Sequence, residues 1–355
     1  MAKTVVVGMS GGVDSSVAAL LLKEQGYDVI GLFMHNWKET DEDGCCTAEE
    51  DYTDVRRVAN LIGIPYYSVD FSDEYWQSVF SLFIDEYKRG RTPNPDVLCN
   101  REIKFGAFRE QAEKIGADFI ATGHYCGVLR KDNRTYLTRA ADENKDQTYF
   151  LNQVKEEQIR NVLFPLENIT KPEVRKIAEK YGLATAKKKD STGICFIGER
   201  NFRNFLSKYV PMQKGEIRTL DNKVIGEHDG VFFYTVGQHK GFGLGGVKGA
   251  DNTEPWYVIK KDVANNILYV NQGEIAELFT KELTTENFNF ITEPIADGTE
   301  VLARIRHRQP LQRAVYYKNG DGAKVVFENE QRAVAEGQYC VLYSDRICLG
   351  GGVIG

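Results

Sequence analysis

The chain has 355 residues, 42% of them apolar and 27% charged, and carries a net charge of −6. That length supplies two or three separate cores, and the composition is that of an ordinary globular chain. The acidic balance excludes a generally basic nucleic-acid coat, the seven scattered cysteines exclude an extracellular disulfide framework, and no apolar run approaches the roughly 20 residues that span a bilayer.

The first strand is expected at Val5–Val7, reached without a charged and apolar leader, so a cytoplasmic protein with no membrane attachment is expected. Further buried strands at Val29–Met34, Tyr66–Val69 and Phe119–Thr122 alternate with helical periodicity over Ser15–Gln25, Ala48–Ile62, Glu74–Lys88 and Glu102–Ile115. Gly26, Gly63 and Gly116 stand just past three of these helices, where a left-handed cap is wanted. The alternation predicts an α/β domain: a mostly parallel sheet with helices on both faces. Thr170-Lys171-Pro172-Glu173 reads as a capping box that opens another helix.

From Lys214 the texture changes to short β-branched and aromatic runs. Asp229-Gly230, Asn319-Gly320, Asp321-Gly322 and Glu336-Gly337 read as the turns between them, and Phe232, Phe233 and Tyr234 as β core. With a second boundary near residues 272–280, the chain divides into an α/β domain (1–200), a small central β-rich module (201–275) and a C-terminal β-barrel (276–355).

The segment Gly8-Met9-Ser10-Gly11-Gly12-Val13-Asp14-Ser15-Ser16 joins the first strand to the first helix. Two glycines let backbone N–H groups close around phosphate oxygens, the serines add hydroxyls, and the helix N-terminus adds partial positive charge. Asp14 suits a Mg²⁺ carried by ATP better than a bare phosphate. The lysine of a Walker loop is missing. Ser-Gly-Gly-Val-Asp-Ser instead resembles the signature of the PP-loop ATP pyrophosphatases, which implies a Rossmann-like fold and cleavage of ATP to AMP and pyrophosphate.

Two cysteine segments narrow the resemblance. Asn94-Pro95-Asp96-Val97-Leu98-Cys99 and Ser191-Thr192-Gly193-Ile194-Cys195-Phe196 resemble those of the tRNA-specific 2-thiouridylases, as do Thr122-Gly123-His124-Tyr125 and Lys145-Asp146-Gln147-Thr148-Tyr149-Phe150. The resemblance spans essentially the whole chain. It implies adenylation of the C2 oxygen of a wobble uridine in the tRNAs for Lys, Glu and Gln. Sulfur is then delivered from a persulfide on Cys195, and Cys99 acts as its partner in a transient disulfide. It implies ATP, Mg²⁺ and a cysteine desulfurase or sulfur-relay protein as donor. By the same resemblance Asp96 is an acid/base group, and Asn94, Pro95 and Asp96 touch the target base. Gly8 to Ser15, Met34 and Gly123 bind ATP, while His124, Lys145, Asp146, Gln147, Arg306, His307, Arg308 and Gln338 contact tRNA.

The residues carry part of this unaided. A uridine carbonyl oxygen is a poor leaving group until adenylated, and a persulfide sulfur is nucleophilic near neutral pH. Proline and glycine beside Cys99 and Cys195 suggest shaped loops. Cys126, Cys340 and Cys348 lie in apolar runs and read as structural; Cys45-Cys46 lies in a polar stretch that reads as an exposed loop. Arg304, Arg306 and Arg308 alternate, so a strand would put all three on one face toward phosphates. The stretch from Lys171 to Leu220 holds 12 Lys/Arg against 5 Asp/Glu, either a solvated face or part of an RNA surface. Another adenylating PP-loop ligase, or an ATP-sensing tRNA-binding module without turnover, are the rival readings; an iron–sulfur cytidine thiolase would need paired C-x-x-C motifs that are absent.

Overall fold

The structure, a computed structural model, describes residues 2–37, 47–190, 202–241, 243–244 and 254–355. Cys45, Cys46 and Cys195 lie outside the described residues. The α/β domain begins with β1 (Thr4–Met9), β2 (Asp28–His35), β3 (Tyr66–Asp70) and β4 (Phe119–Ala121). A hairpin follows, β5 (Cys126–Lys131) and β6 (Arg134–Arg139), and then β7 (Val162–Leu163). The sheet order is β3-β2-β1-β4-β7, parallel throughout. Gly26, Gly63 and Gly116 take φ of 85°, 69° and 83°, as their capping positions require.

Strand alternation splits the core between the two faces of this sheet. Val5, Val7, Val29 and Phe33 face the helices α1 (Val13–Glu24) and α2 (Thr47–Ile62) and the helix Lys171–Lys180. Val6, Leu32 and Met34 face the other way, against Phe80, Phe83, Ile103 and Phe108 of helices 72–88 and 95–114. Both of these helices contain a π-helical stretch, Trp76–Phe80 and Asn100–Ala107. The capping box at Thr170 forms as expected: Glu173 Oε2 accepts from the Thr170 N–H at 2.8 Å. No helix among the described residues is long and apolar enough to cross a membrane.

The central module is a four-stranded sheet of β8 (Gly215–Arg218), β9 (Val224–His228), β10 (Trp256–Asp262) and β11 (Ile267–Gln272), ordered β10-β11-β8-β9. Asp229-Gly230 leads into a 3₁₀ turn, Val231–Phe233, where a hairpin was expected. Tyr234 is nonetheless core, as are the flanking Val231 and Val258.

The last six strands are β12 (Phe279–Phe290), β13 (Thr299–Arg304), β14 (Gln312–Asn319), β15 (Gly322–Arg332), β16 (Tyr339–Ser344) and β17 (Ile347–Ile354). Because β12 pairs with both β15 and β17, this antiparallel sheet closes into a barrel. Asn319-Gly320-Asp321-Gly322 is the expected hairpin turn between β14 and β15. The hairpin β5–β6 is an addition that the sequence pattern missed: β6 pairs with β17, so a piece of the α/β domain extends the barrel's sheet.

The junction is sealed by a buried ion pair. Asp146 and Arg304 have side chains 0% and 4% exposed, and Arg304 Nη2 donates to Asp146 Oδ2. Arg304 also donates to Tyr343 Oη at 2.9 Å and to the His307 carbonyl at 3.0 Å, while Thr148 Oγ1 donates to Asp146 Oδ2 at 2.9 Å. One expectation is corrected here. The strand stops at Arg304, so the three arginines do not share a strand face: Arg304 points into the core, and only Arg306 and Arg308 are exposed. Asp146, expected among the tRNA contacts, has its carboxylate on Arg304. Removing one partner strands a buried charge, so Arg304→Met is expected to cost about 3–5 kcal/mol in denaturant unfolding. The double variant with Asp146→Leu should recover much of that loss, because neither charge is left alone.

Candidate active site

The chain leaves β1 at Gly8–Met9, turns through Ser10-Gly11-Gly12 and enters α1 at Val13. Gly11 takes φ 74°, and a Cβ there would lie 2.6 Å from the Asp51 carbonyl oxygen, so no other residue fits beneath α2. Ser15 Oγ accepts the Ser10 N–H at 3.2 Å, and Ser16 Oγ donates to the Gly12 carbonyl at 2.8 Å. The result is a short loop of N–H groups at the start of a 12-residue helix, shaped for phosphate. Gly123, just past β4, packs on it so closely that a Cβ would meet Ser15 N at 2.6 Å. On the opposite side Met34 Cε and Phe108 Cζ both come within 3.5 Å of where a Gly8 Cβ would stand.

Asp14 was expected to face Mg²⁺. Its two oxygens instead accept from Lys171 Nζ at 2.7 and 2.8 Å, and Oδ1 also accepts from Tyr125 Oη at 2.8 Å. Lys171 is only 8% exposed and also lies 2.8 Å from Asp190 Oδ1. Asp190 in turn receives Lys145 Nζ at 2.7 Å and Arg175 Nη2 at 2.8 Å. Burial alone would raise the Asp190 pKa, but the hydrogen bonds from Lys145 and Lys171 outweigh it and hold the group down to about 2. Burial and the Asp14 charge push the Tyr125 phenol far up, so it remains a donor. Both Asp14 oxygens are thus taken up by the Lys171 ammonium. Among the described residues no group of three or more His, Cys, Asp or Glu could hold a metal ion. The cluster sets three cations, Lys145, Lys171 and Arg175, against two carboxylates, Asp14 and Asp190.

Lys171 and Tyr125 were missed as site residues. A signal existed for Lys171: a cation at the first position of a capped helix opposes the helix dipole, so it needs anionic partners nearby.

The second half of the site is helix 95–114. Asn94 caps it, its Oδ1 accepting the Asp96 N–H at 3.2 Å, and Pro95 occupies the first turn, where its missing N–H costs nothing. The expected loop around Cys99 is therefore a helical turn, Pro95–Cys99, that runs straight into the π-helical stretch. Cys99 is fully buried in the same core as Phe105 and Phe108, while Asp96, one turn earlier, is half-buried. The carrier expected at Cys195 lies outside the described residues, so the distance between the two sulfurs is not part of this geometry. Cys126, Cys340 and Cys348 are buried, and burial pushes the last two thiols up to about 12; they are packing residues, as read from sequence.

The residues expected at RNA fall into two groups. Lys145 and Gln147 are half-buried beside the phosphate loop, and Gln147 Oε1 accepts the Tyr125 N–H at 2.9 Å. His124 is 8% exposed, with Nδ1 2.8 Å from Thr122 Oγ1, and burial followed by the nearby Lys104 charge drives its pKa well down. The His307 ring lies 4.4 Å from that of Phe150, tilted by 46°, with Nε2 2.9 Å from the Asp146 carbonyl, and Gln338 Nε2 donates to the Thr92 carbonyl at 2.7 Å. Arg306 and Arg308 remain on the surface beside them.

Sequence families described as a tRNA methyl transferase HUP domain, a tRNA methyl transferase PRC-barrel domain and an aminomethyltransferase beta-barrel domain match residues 3–199, 203–272 and 280–354. A tRNA-specific 2-thiouridylase MnmA from Streptococcus agalactiae serotype III is 57% identical over 353 residues, covering 99% of this chain and 94% of its own length. The protein of the same name from Streptococcus mutans serotype c is 57% identical over 354 residues, with the same coverage. A solved 4-thiouridine synthetase–RNA complex with bound ATP aligns over 59% of this chain and 50% of its own, at 16% identity and a TM-score of 0.36, too slight a likeness to carry argument. The methyl-transfer wording of the domain descriptions gives way to relatives alike from end to end: the chain belongs to the tRNA-specific 2-thiouridylase (MnmA) family.

Proposed function

We propose that the protein is an ATP-dependent tRNA sulfurtransferase that makes 2-thiouridine at the wobble position. The observation that carries the reading is the packing of a Cys99-bearing helix, through Phe108, onto the strand that delivers the phosphate loop. It brings a thiol and an anion site to one sheet, as coupled activation and sulfur transfer demand. End-to-end identity to 2-thiouridylases supports the choice of acceptor.

In this reading the uridine, flipped from the anticodon, attacks the α-phosphorus of ATP through O2. The bond to the β-phosphate breaks and pyrophosphate leaves into the loop of Ser10, Gly11, Gly12 and Ser15. Lys171 turns from Asp14 toward the phosphates while Asp190 keeps its hold on the ammonium. The adenylated oxygen is now a good leaving group. The terminal sulfur of a Cys195 persulfide, loaded by a donor protein, attacks C2 and AMP departs with the oxygen. Cys99 thiolate then attacks the Cys195 sulfur, breaking the S–S bond to the nucleoside. The 2-thiouridine leaves, and a Cys99–Cys195 disulfide remains for a thiol reductant to open. Asp96 handles the proton exchanged at the base. No step is assigned to Mg²⁺. Arg306, Arg308 and the half-buried Lys145 serve as phosphate contacts, with tRNAs for Lys, Glu and Gln as acceptors.

The direct test incubates the protein with ATP, Mg²⁺, a cysteine desulfurase with cysteine as the persulfide source, a thiol reductant and undermodified tRNA, then analyses the digested nucleosides. 2-Thiouridine is expected, and its absence with folded protein would sink the reading. Cys195→Ser and Cys99→Ala should each abolish the product while tRNA affinity, measured by filter binding, stays within about twofold; a parallel loss of binding would mark a structural cysteine. Lys171→Met should weaken ATP binding about 10- to 100-fold, the range for one lost charge-assisted hydrogen bond. Unchanged ATP affinity in isothermal titration would remove Lys171 from the nucleotide site.

A further inference from the structure

Asn36 follows β2 directly and is 2% exposed. Its Nδ2 and Oδ1 both lack a hydrogen-bond partner among the described residues. A buried carboxamide with donor and acceptor both unspent is costly, and native proteins rarely keep one without a use for it. Its position suggests that use. Backbone pairing continues to the end of the strand, where the Phe71 N–H donates to the His35 carbonyl at 2.7 Å. Alternation along β2 then sends Phe33 and His35 toward α2, where both rings meet Tyr52. Residue 36 continues the opposite row, that of Leu32 and Met34, which belongs to the core shared with Cys99 and Phe108. Met34 Cε in turn lies 3.5 Å from where a Gly8 Cβ would stand, at the start of the phosphate loop. Asn36 thus stands at the carboxyl end of the sheet, where open α/β sheets bind ligands, in the row of β2 that faces the core of the cysteine helix. Two further buried groups are also unspent: Trp37 Nε1 on the next residue, and Asn100 Oδ1 on the residue after Cys99.

We propose that Asn36 is a base-reading residue of this site, its carboxamide pairing bidentately with a nucleobase edge that presents a donor beside an acceptor. A planar amide matches such an edge as asparagine matches adenine. The inference rests on the reading of this sheet end as a nucleotide and uridine site. Two bases there offer the required edge: adenine of ATP, through N6–H and N1, and the target uracil, through O4 and N3–H. Both leave free the atoms that react, the α-phosphate of one and O2 of the other.

The test compares wild type with Asn36→Leu, which keeps the approximate shape and removes both polar atoms. Thermal unfolding, ATP affinity by titration calorimetry, and kcat and KM for undermodified tRNA are measured on the full chain. A Tm equal to or above wild type is expected, because two unsatisfied atoms are gone. With it should come a loss of about 10- to 100-fold. If the loss falls on ATP affinity, adenine is the base read. If ATP affinity holds and kcat/KM for tRNA falls, uracil is. A Tm lowered by several degrees, with ATP affinity and kcat/KM per folded molecule within about twofold of wild type, overturns the proposal and makes Asn36 a structural residue. Should the leucine variant fail to fold, Asn36→Asp keeps the shape but loses the donor: the same binding or turnover loss supports the proposal, and unchanged values overturn it. A folded wild type that binds neither ATP nor tRNA overturns the reading of the site and this inference with it.

Discussion

The buried pair between Asp146 and Arg304 is the constraint from which much of the architecture follows. A carboxylate and a guanidinium removed from water are tolerable only when every remaining polar atom is satisfied, and Thr148, Tyr343 and the His307 carbonyl do this. Their demand for fixed geometry locks the segment before Thr148 against the mouth of the barrel. The consequence reaches the phosphate loop. Gln147, next to Asp146, holds the backbone N–H of Tyr125, and the Tyr125 hydroxyl holds Asp14. A path of three hydrogen bonds, linked by the covalent chain at Asp146–Gln147 and through the Tyr125 side chain, therefore joins a barrel arginine to the first turn of α1.

A second constraint acts on the cysteine helix from its N-terminal side. Residues 90–94 pass between the two C-terminal modules before Asn94 caps the helix. The Thr92 N–H donates to the Glu336 carbonyl at 2.8 Å, its carbonyl accepts from Gln338, and its hydroxyl lies 3.1 Å from that of Thr235. Lys261 Nζ donates to the Gly90 carbonyl from the central module. Desolvation in this position brings the Lys261 pKa down to about 8, a sign of how closely the modules shut around the strand of chain. Asp96 and Cys99 are thus held by backbone that both modules grip, and Gln338 acts there through Thr92.

Much was legible in advance because it depends on short-range chemistry. The parallel sheet follows from apolar runs that alternate with helical periodicity. The capping glycines follow from the steric freedom of positive φ, and the capping box at Thr170 from two reciprocal hydrogen bonds. The phosphate loop was legible for the same reason, since Gly11 and the serines act on backbone within a few residues of themselves. The setting of Cys99 was misjudged: proline and asparagine mark a turn and a helix start equally well, and only the packing of Val97 and Cys99 in the core decides for the helix.

What the sequence determined alone is the α/β order, the glycine turn between β1 and α1 and the helix caps, all written in local pattern. Tertiary structure alone decided that β5–β6 joins the barrel, that Arg304 turns inward to Asp146 while Arg306 and Arg308 stay outside, and that Lys171 neutralises Asp14. The physical reason is common to these cases. Whether a charge faces water or another charge depends on partners more than a hundred positions away, and no periodicity in the chain encodes who those partners are.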